Sequence, residues 1–186
     1  SAKVTTFIRF SIVPDSVNTL QESEIISASL KLQPLSYTFG DTTSNQLKFT
    51  ISKITTAWTP AATIDTLKNG NFLGEQLQSF SGTIPMGDSL DPVRIPLPNK
   101  TALYQWLYTD SAKYGLALTP EAGSTVVRQF SLIGIGDLER ASASIELVYK
   151  RTGSDQIDTV DVPSAYANTF IESLAPAPEQ RLVVQS

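Results

Sequence analysis

The chain has 186 residues, of which 41% are apolar and 17% are charged, and its formal net charge is −4. This length and apolar content suffice for one domain with its own hydrophobic core. Apart from the adjacent Lys150 and Arg151, the Lys and Arg residues are scattered singly, which argues against nucleic-acid binding, because that function requires clustered cations. No run of 18 apolar residues occurs, so no transmembrane segment is predicted.

The sequence contains neither cysteine nor histidine. Without Cys there is no disulfide, no thiolate nucleophile and no Cys-ligated zinc. Without His the usual general base and the commonest transition-metal ligand are also missing. We therefore predict that the chain is not an enzyme and that it uses no cofactor.

Strands dominate the predicted elements, because apolar and polar residues alternate with a period of two along several segments. The first predicted strand, residues 6–13, has Ile8, Phe10 and Ile12 on one face. The second, residues 25–33, has as its apolar face Ile26, Ala28, Leu30 and Leu32. Later strand candidates are residues 47–54, 93–97, 116–118, 126–132 and 143–149, with short β pieces near 77–80.

Only one segment, near residues 100–110, is predicted to be helical. Asn99 is a suitable N-cap, and Leu103, Trp106 and Leu107 then form one apolar stripe. Many short antiparallel strands with a single short helix predict an all-β fold. The fold class expected is an antiparallel, jelly-roll-like β-sandwich.

Five short motifs follow one another in a recognisable order: FIRFSI at 7–12, ISASLKL at 26–32, ITTAWTP at 54–60, YGLAL at 114–118 and SIELVYK at 144–150. In this order they resemble the DNRLRE-type domain family, although Ser11 stands where that family usually has Asp. The resemblance implies a module of exported bacterial or archaeal surface proteins, often repeated in tandem or joined to polysaccharide-degrading enzymes. A secreted or cell-surface location follows from it as an expectation.

The same resemblance raises a question about domain boundaries. The family usually opens with a strand pair before the "RF" strand, which here begins at residue 7, and residues 162–184 read like such an opening. We therefore predict a sandwich module at 1–151 and additional C-terminal strands at 152–186. These strands either open a following tandem repeat or complete a sandwich, in this molecule or in a neighbouring one. The last case would be homo-assembly through strand addition.

Exposed aromatic rings on a sandwich can stack on sugar rings. The candidates for a carbohydrate-binding site are Tyr37 and Phe39, which precede a Gly-Asp turn, and Trp58, which lies among threonines. The competing interpretation is that Trp58 and Trp106 belong to the core, where large aromatics contribute most burial.

Acidic residues in a Gly- and Pro-containing loop could supply oxygens to calcium. Asp88 and Asp91 are the candidates, but they do not match a calcium-binding loop, and solvated loop charge is the favoured interpretation. No metal site is therefore predicted.

The sequence thus predicts a non-catalytic structural or adhesive module of a secreted or cell-surface protein, in a tandem array or in a fibre built by strand addition. The alternative is a carbohydrate-binding module that targets a polysaccharide. The expected partners are neighbouring protein modules or a polysaccharide.

Overall fold

The computed structural model of the chain describes residues 2–84, 91–110, 113–133 and 142–173. The strands of this part are β1 Ala2–Phe10, β2 Ile25–Gly40, β3 Gln46–Ile54, β4 Leu73–Thr83, β5 Val93–Pro96, β6 Leu116–Pro120, β7 Val126–Ser131, β8 Ser144–Tyr149 and β9 Asp158–Ser173. The helical elements are a 3-10 turn at Glu22–Glu24, α1 Ile64–Asn69 and α2 Lys100–Tyr104, which continues into a π-helical turn at Gln105–Thr109. Every pairing between these strands is antiparallel, and the predicted all-β sandwich is confirmed.

The nine strands are continuously hydrogen-bonded, and β9 divides the array into two sheets that share it. The front sheet has the order β4-β3-β6-β1-β9, and the back sheet has the order β9-β8-β2-β5. Residues 158–163 of β9 pair with β8, whereas residues 164–173 pair with β1. Strand β9 therefore crosses from the back sheet to the front sheet at Pro163–Ser164.

Strand β2 is also divided between two partners. Its first part pairs with β8 and its second part, from Gln33 onwards, pairs with β7. The backbone N–H of Ala143 donates to the carbonyl of Leu132 at 3.3 Å, and Ser164 contacts both of these residues. Strands β7 and β8 thus lie end to end along the same side of β2, while β5 occupies the opposite side.

The main core lies between the two sheets, where the inward residues of the alternating strands meet. Its fully buried members include Ile8, Leu30, Leu32, Ile51, Leu116, Ile145 and Leu147. The predicted helix closes one end of this core. The Asn99 side chain accepts a hydrogen bond from the Ala102 N–H at 3.1 Å, as a cap should, and the predicted stripe of Leu103, Trp106 and Leu107 is buried.

Two predicted core positions are wrong. Ile12 is 87% exposed, because β1 ends at Phe10 and Val13 takes the buried place. Ile26 is exposed because the register of β2 against β8 shifts between Ile25 and Ser27, so that Ile25 points inward instead. Helix α1 was not predicted, and β4 is longer than the short pieces expected near 77–80.

A second, smaller core covers the outer face of the front sheet. The segment that connects β3 to β4, with α1, packs over this face. The buried members of this outer core are Phe7, Ile54, Trp58, Phe72, Ala117 and Phe170. No helix in the described part of the chain is long and apolar enough to cross a bilayer.

Candidate functional site

Trp58 lies in the outer core, and its expected role as an exposed sugar-stacking ring is wrong. The side chain is only 5% exposed. Its ring meets those of Phe7 and Tyr166 edge-on, with centroids 5.5 Å and 4.9 Å away. Its indole N–H donates to the carbonyl oxygen of Tyr114 at 2.7 Å. Both faces of the indole are therefore committed to packing, as the competing interpretation of the sequence predicted.

The second ring of this cluster ties the outer core to β1. The Tyr166 hydroxyl donates to the carbonyl of Trp58 at 3.3 Å and accepts from the Arg9 guanidinium at 2.9 Å. That guanidinium also lies over the Tyr166 ring, 5.6 Å from its centroid. These contacts hold the middle of β9 against the front sheet.

Tyr37 and Phe39, by contrast, are exposed by 59% and 66%. They lie two residues apart near the end of β2, where the register of β2 against β7 shifts between Pro34 and Thr38. Gly40 follows with φ +120, and a Cβ there would come within 2.3 Å of the Thr125 carbonyl oxygen. The glycine therefore lets β2 pass close to Thr125 at the start of the β2–β3 turn.

The β2–β3 turn is held by a charged group. The carboxylate of Asp41 accepts hydrogen bonds from the Ser44 hydroxyl and from the Thr43 backbone N–H, both at 2.9 Å. These bonds lower the pKa of Asp41, with the Ser44 hydroxyl as the main cause. The ionised carboxylate thus organises the turn that follows the two exposed aromatics.

The two aromatics border a cleft between the sheets. The cleft consists of two adjoining cavities, of about 260 and about 760 Å³, and its lining is mostly apolar. Six residues line both cavities, three on the front sheet and three on β7: Val4, Thr6, Leu118, Val127, Arg128 and Phe130. Phe39 lines the smaller cavity, and Tyr37 lines the larger one.

Exposed apolar side chains are concentrated at this cleft. Eight large apolar side chains of the described residues are exposed, and four of them line the cleft: Tyr37, Phe39, Ile133 and Ile171. Single exposed apolar residues are normal on a protein surface, but contiguous groups mark contact sites. The cleft is therefore the best candidate for a binding surface in the described part of the chain.

The back wall of the cleft contains a buried cation. Arg128 on β7 is 6% exposed, and its guanidinium donates to the Thr38 hydroxyl of β2. This bond helps hold β7 on the far half of β2, which pairs with no other strand among the described residues. The wall is thus a two-stranded ribbon whose geometry depends on a charged side chain facing the interior.

Of the two acidic candidates, Asp91 is exposed just before β5 and does not line the cleft, and Asp88 lies outside the described residues. Within the described ranges, no three His, Cys, Asp or Glu side chains are placed to hold a metal ion.

The sequence predicts Tyr37 and Phe39 as site residues but not the facing wall, notably Val4 and Ile171. A signal for Ile171 was present. In residues 166–171, Tyr166 and Phe170 alternate with Ala167 and Ile171, so both faces of the strand carry apolar side chains. Such a pattern indicates a strand that is covered on both faces. Ile171 is nevertheless 65% exposed, which shows that one face lacks its cover among the described residues.

Comparison with other proteins found no family model, no curated protein and no solved structure that matches the chain.

Proposed function

We propose that this chain is a non-catalytic structural module that joins other copies of itself through the cleft, as part of an array or fibre on a secreted or cell-surface protein. One observation carries the proposal: among the described residues, half of the exposed large apolar side chains line the cleft between the two sheets. Apolar area left in water costs free energy, roughly 25 cal/mol per Å². A partner that covers the cleft recovers that free energy.

The strand edges at the cleft support assembly by protein rather than by a small ligand. In the described part of the chain β7 pairs with β2 alone, and β9 beyond Ser164 pairs with β1 alone. Unpaired edges offer N–H and C=O groups to a further strand. The composition supports a structural role, because a chain without His or Cys lacks the usual catalytic groups. The resemblance to DNRLRE-type modules supports the exported location.

The proposal is tested by sedimentation velocity over a range of protein concentrations. The wild type should associate as its concentration rises. The variant F39S/I171S, which removes one apolar side chain from each side of the cleft, should shift the equilibrium towards monomer. The matched control is I12S/I157S, because Ile12 and Ile157 are exposed by 87% and 61% and do not line the cleft. A wild type that stays monomeric throughout, or an equal loss in the control, would contradict the proposal.

The alternative function is binding of a polysaccharide, and the pair Tyr37 and Phe39 favours it. The two rings are exposed, lie two residues apart in the sequence, and can offer their faces to sugar rings. A glycan array separates the two functions. Binding that is lost in Y37A/F39A but kept in I171S would support the polysaccharide, whereas an array without signal would remove this alternative.

A further inference from the structure

The back sheet has an open strand position beside β7. Strand β9 occupies the place next to β8 only as far as Pro163, where it turns to the front sheet. Strand β7 continues the line of β8 along β2, but β9 does not follow it. The space beside β7, in line with residues 158–163, is therefore bordered by two strand edges that have no strand partner there among the described residues. We call it the open strand position.

The side chains around this position are those that a buried strand would cover. Val4 and Thr6 of β1 and Thr169 and Ile171 of β9 face it from the front sheet. Their neighbours further along β1, Ile8 and Phe10, face the same way and are buried under the back sheet. The inner face of the front sheet thus extends beyond the part that the back sheet covers. The position beside the six residues of β7 has room for a strand of up to that length, and a shorter strand would cover part of the face.

The sequence of residues 181–184, Arg-Leu-Val-Val, has the composition of such a strand. With Leu182 and Val184 directed at the front sheet, Arg181 and Val183 would face solvent. The preceding residues 174–180 contain Pro176 and Pro178, and proline has no backbone N–H to donate to a neighbouring strand, so the strand candidate in this sequence begins after them.

Strand direction favours another molecule as the donor. A segment that follows β9 and turns back beside β7 of its own molecule would run parallel to β7, because β9 is antiparallel to β8 and β8 has the direction of β7. All pairings in the described part of the fold are antiparallel. A segment from a second molecule is free to enter antiparallel to β7, which is the more stable arrangement.

We infer that the open strand position beside β7 binds residues 181–184 of a second copy of this chain. This inference rests on the proposed function and specifies its contact: each molecule receives a strand beside β7 and gives one from the segment that follows β9. The geometry is heterologous, since the surface that gives differs from the surface that receives. Repetition of such a contact yields a ring or an open filament.

Cysteine cross-linking tests the inference without background, because the chain has no Cys of its own. One preparation carries Q129C, on the exposed side of β7, and a second carries V183C. Mixed under mild oxidation, they should form a disulfide-linked dimer. In the matched control, S79C takes the place of Q129C. Ser79 is an exposed residue of β4, which is an edge strand of the front sheet. If residues 181–184 bind beside β7 with an affinity about ten times higher than beside β4, the Q129C mixture should yield at least about ten times more dimer than the S79C mixture.

Three results would overturn the inference. One is equal cross-linking of Q129C and S79C. Another is a disulfide within single molecules of the Q129C/V183C double variant at high dilution, together with no disulfide between the mixed single variants. Residues 181–184 would then occupy the cleft of their own molecule. The third is L182S/V184S associating as the wild type does in sedimentation. If L182S/V184S still associates but F39S/I171S does not, the proposed function stands and only the identity of the bound segment is wrong.

Discussion

Replacing Trp58 by alanine should destabilise the fold by about 3–5 kcal/mol, which is the usual cost of truncating a buried aromatic to Ala. The structure accounts for this magnitude. The side chain is 5% exposed, and its edge-on contacts with Phe7 and Tyr166 each contribute about 0.5–1.5 kcal/mol beyond area burial. The lost indole hydrogen bond to the Tyr114 carbonyl adds about 0.5–1.5 kcal/mol. Trp58→Phe keeps a ring and loses this bond, so it should cost about 1–2 kcal/mol.

The measurement is urea unfolding followed by far-UV circular dichroism, with fluorescence of Trp106 as a second probe. Phe39→Ala is the control, because Phe39 is an exposed aromatic at the cleft rim, and it should change the free energy of unfolding by less than about 0.5 kcal/mol. The reasoning would be refuted if W58A and F39A had equal effects. It would also be refuted if W58A unfolded like the wild type and instead lost binding to a polysaccharide.

Two further predictions concern a close backbone approach and a buried phenol. Gly115 and Gly153 both have positive φ, but a Cβ at Gly115 would lie 2.1 Å from the Ile8 carbonyl oxygen, whereas at Gly153 nothing lies within 4 Å. G115A should therefore lose about 2 kcal/mol more than G153A in urea unfolding, and equal losses would exclude the steric cause. Burial, followed by the neighbouring Tyr104, raises the pKa of Tyr108 from 10.0 to about 12. Its neutral form is favoured in the folded state, so this contribution to stability is complete below about pH 10 and is lost as the pH rises towards 12. Y108F should remove that loss of stability, whereas Y37F, at an exposed site, should keep it. The measurement compares the free energy of unfolding of each variant at about pH 8 and about pH 11. The same pH dependence in both variants would contradict the prediction.

The strand pattern could be predicted from sequence wherever apolar and polar residues alternate along most of the strand. Residues 47–54 and 143–149 alternate in this way and were predicted correctly, although the register of β3 against β4 shifts between Ile51 and Ile54. The errors at Ile12 and Ile26 have local causes, a strand end and a register shift, that alternation alone does not contain. One extra residue opposite β8 exchanges Ile25 for Ile26, although both are equally apolar.

The candidate site was predictable only in part, because its two walls come from distant parts of the chain. Tyr37 and Phe39 precede a Gly-Asp turn, and turn chemistry predicts exposure at such places. The threonines around Trp58 suggested a loop equally well, but the segment folds back onto Phe7 and is buried. The facing wall depends on β1 pairing with β9, which is 160 or so residues away in sequence. The alternation of apolar and polar residues does not show which strands pair when they lie so far apart in the sequence.

The path of β9 explains why one fold contains both a closed core and an open cleft. A single strand cannot accompany β8 in the back sheet and β1 in the front sheet along its whole length, so it must change sheets, and it does so at Pro163–Ser164. Before the change it closes the sandwich over Ile145 and Leu147, which are fully buried. After the change it leaves the place beside β7 open and exposes its own Ile171. The bend that seals one end of the core therefore opens the other end. The open end presents apolar side chains together with strand edges that have no partner among the described residues. An added strand would pair with those edges and cover those side chains, whereas a sugar ring would contact only the aromatic residues at the rim.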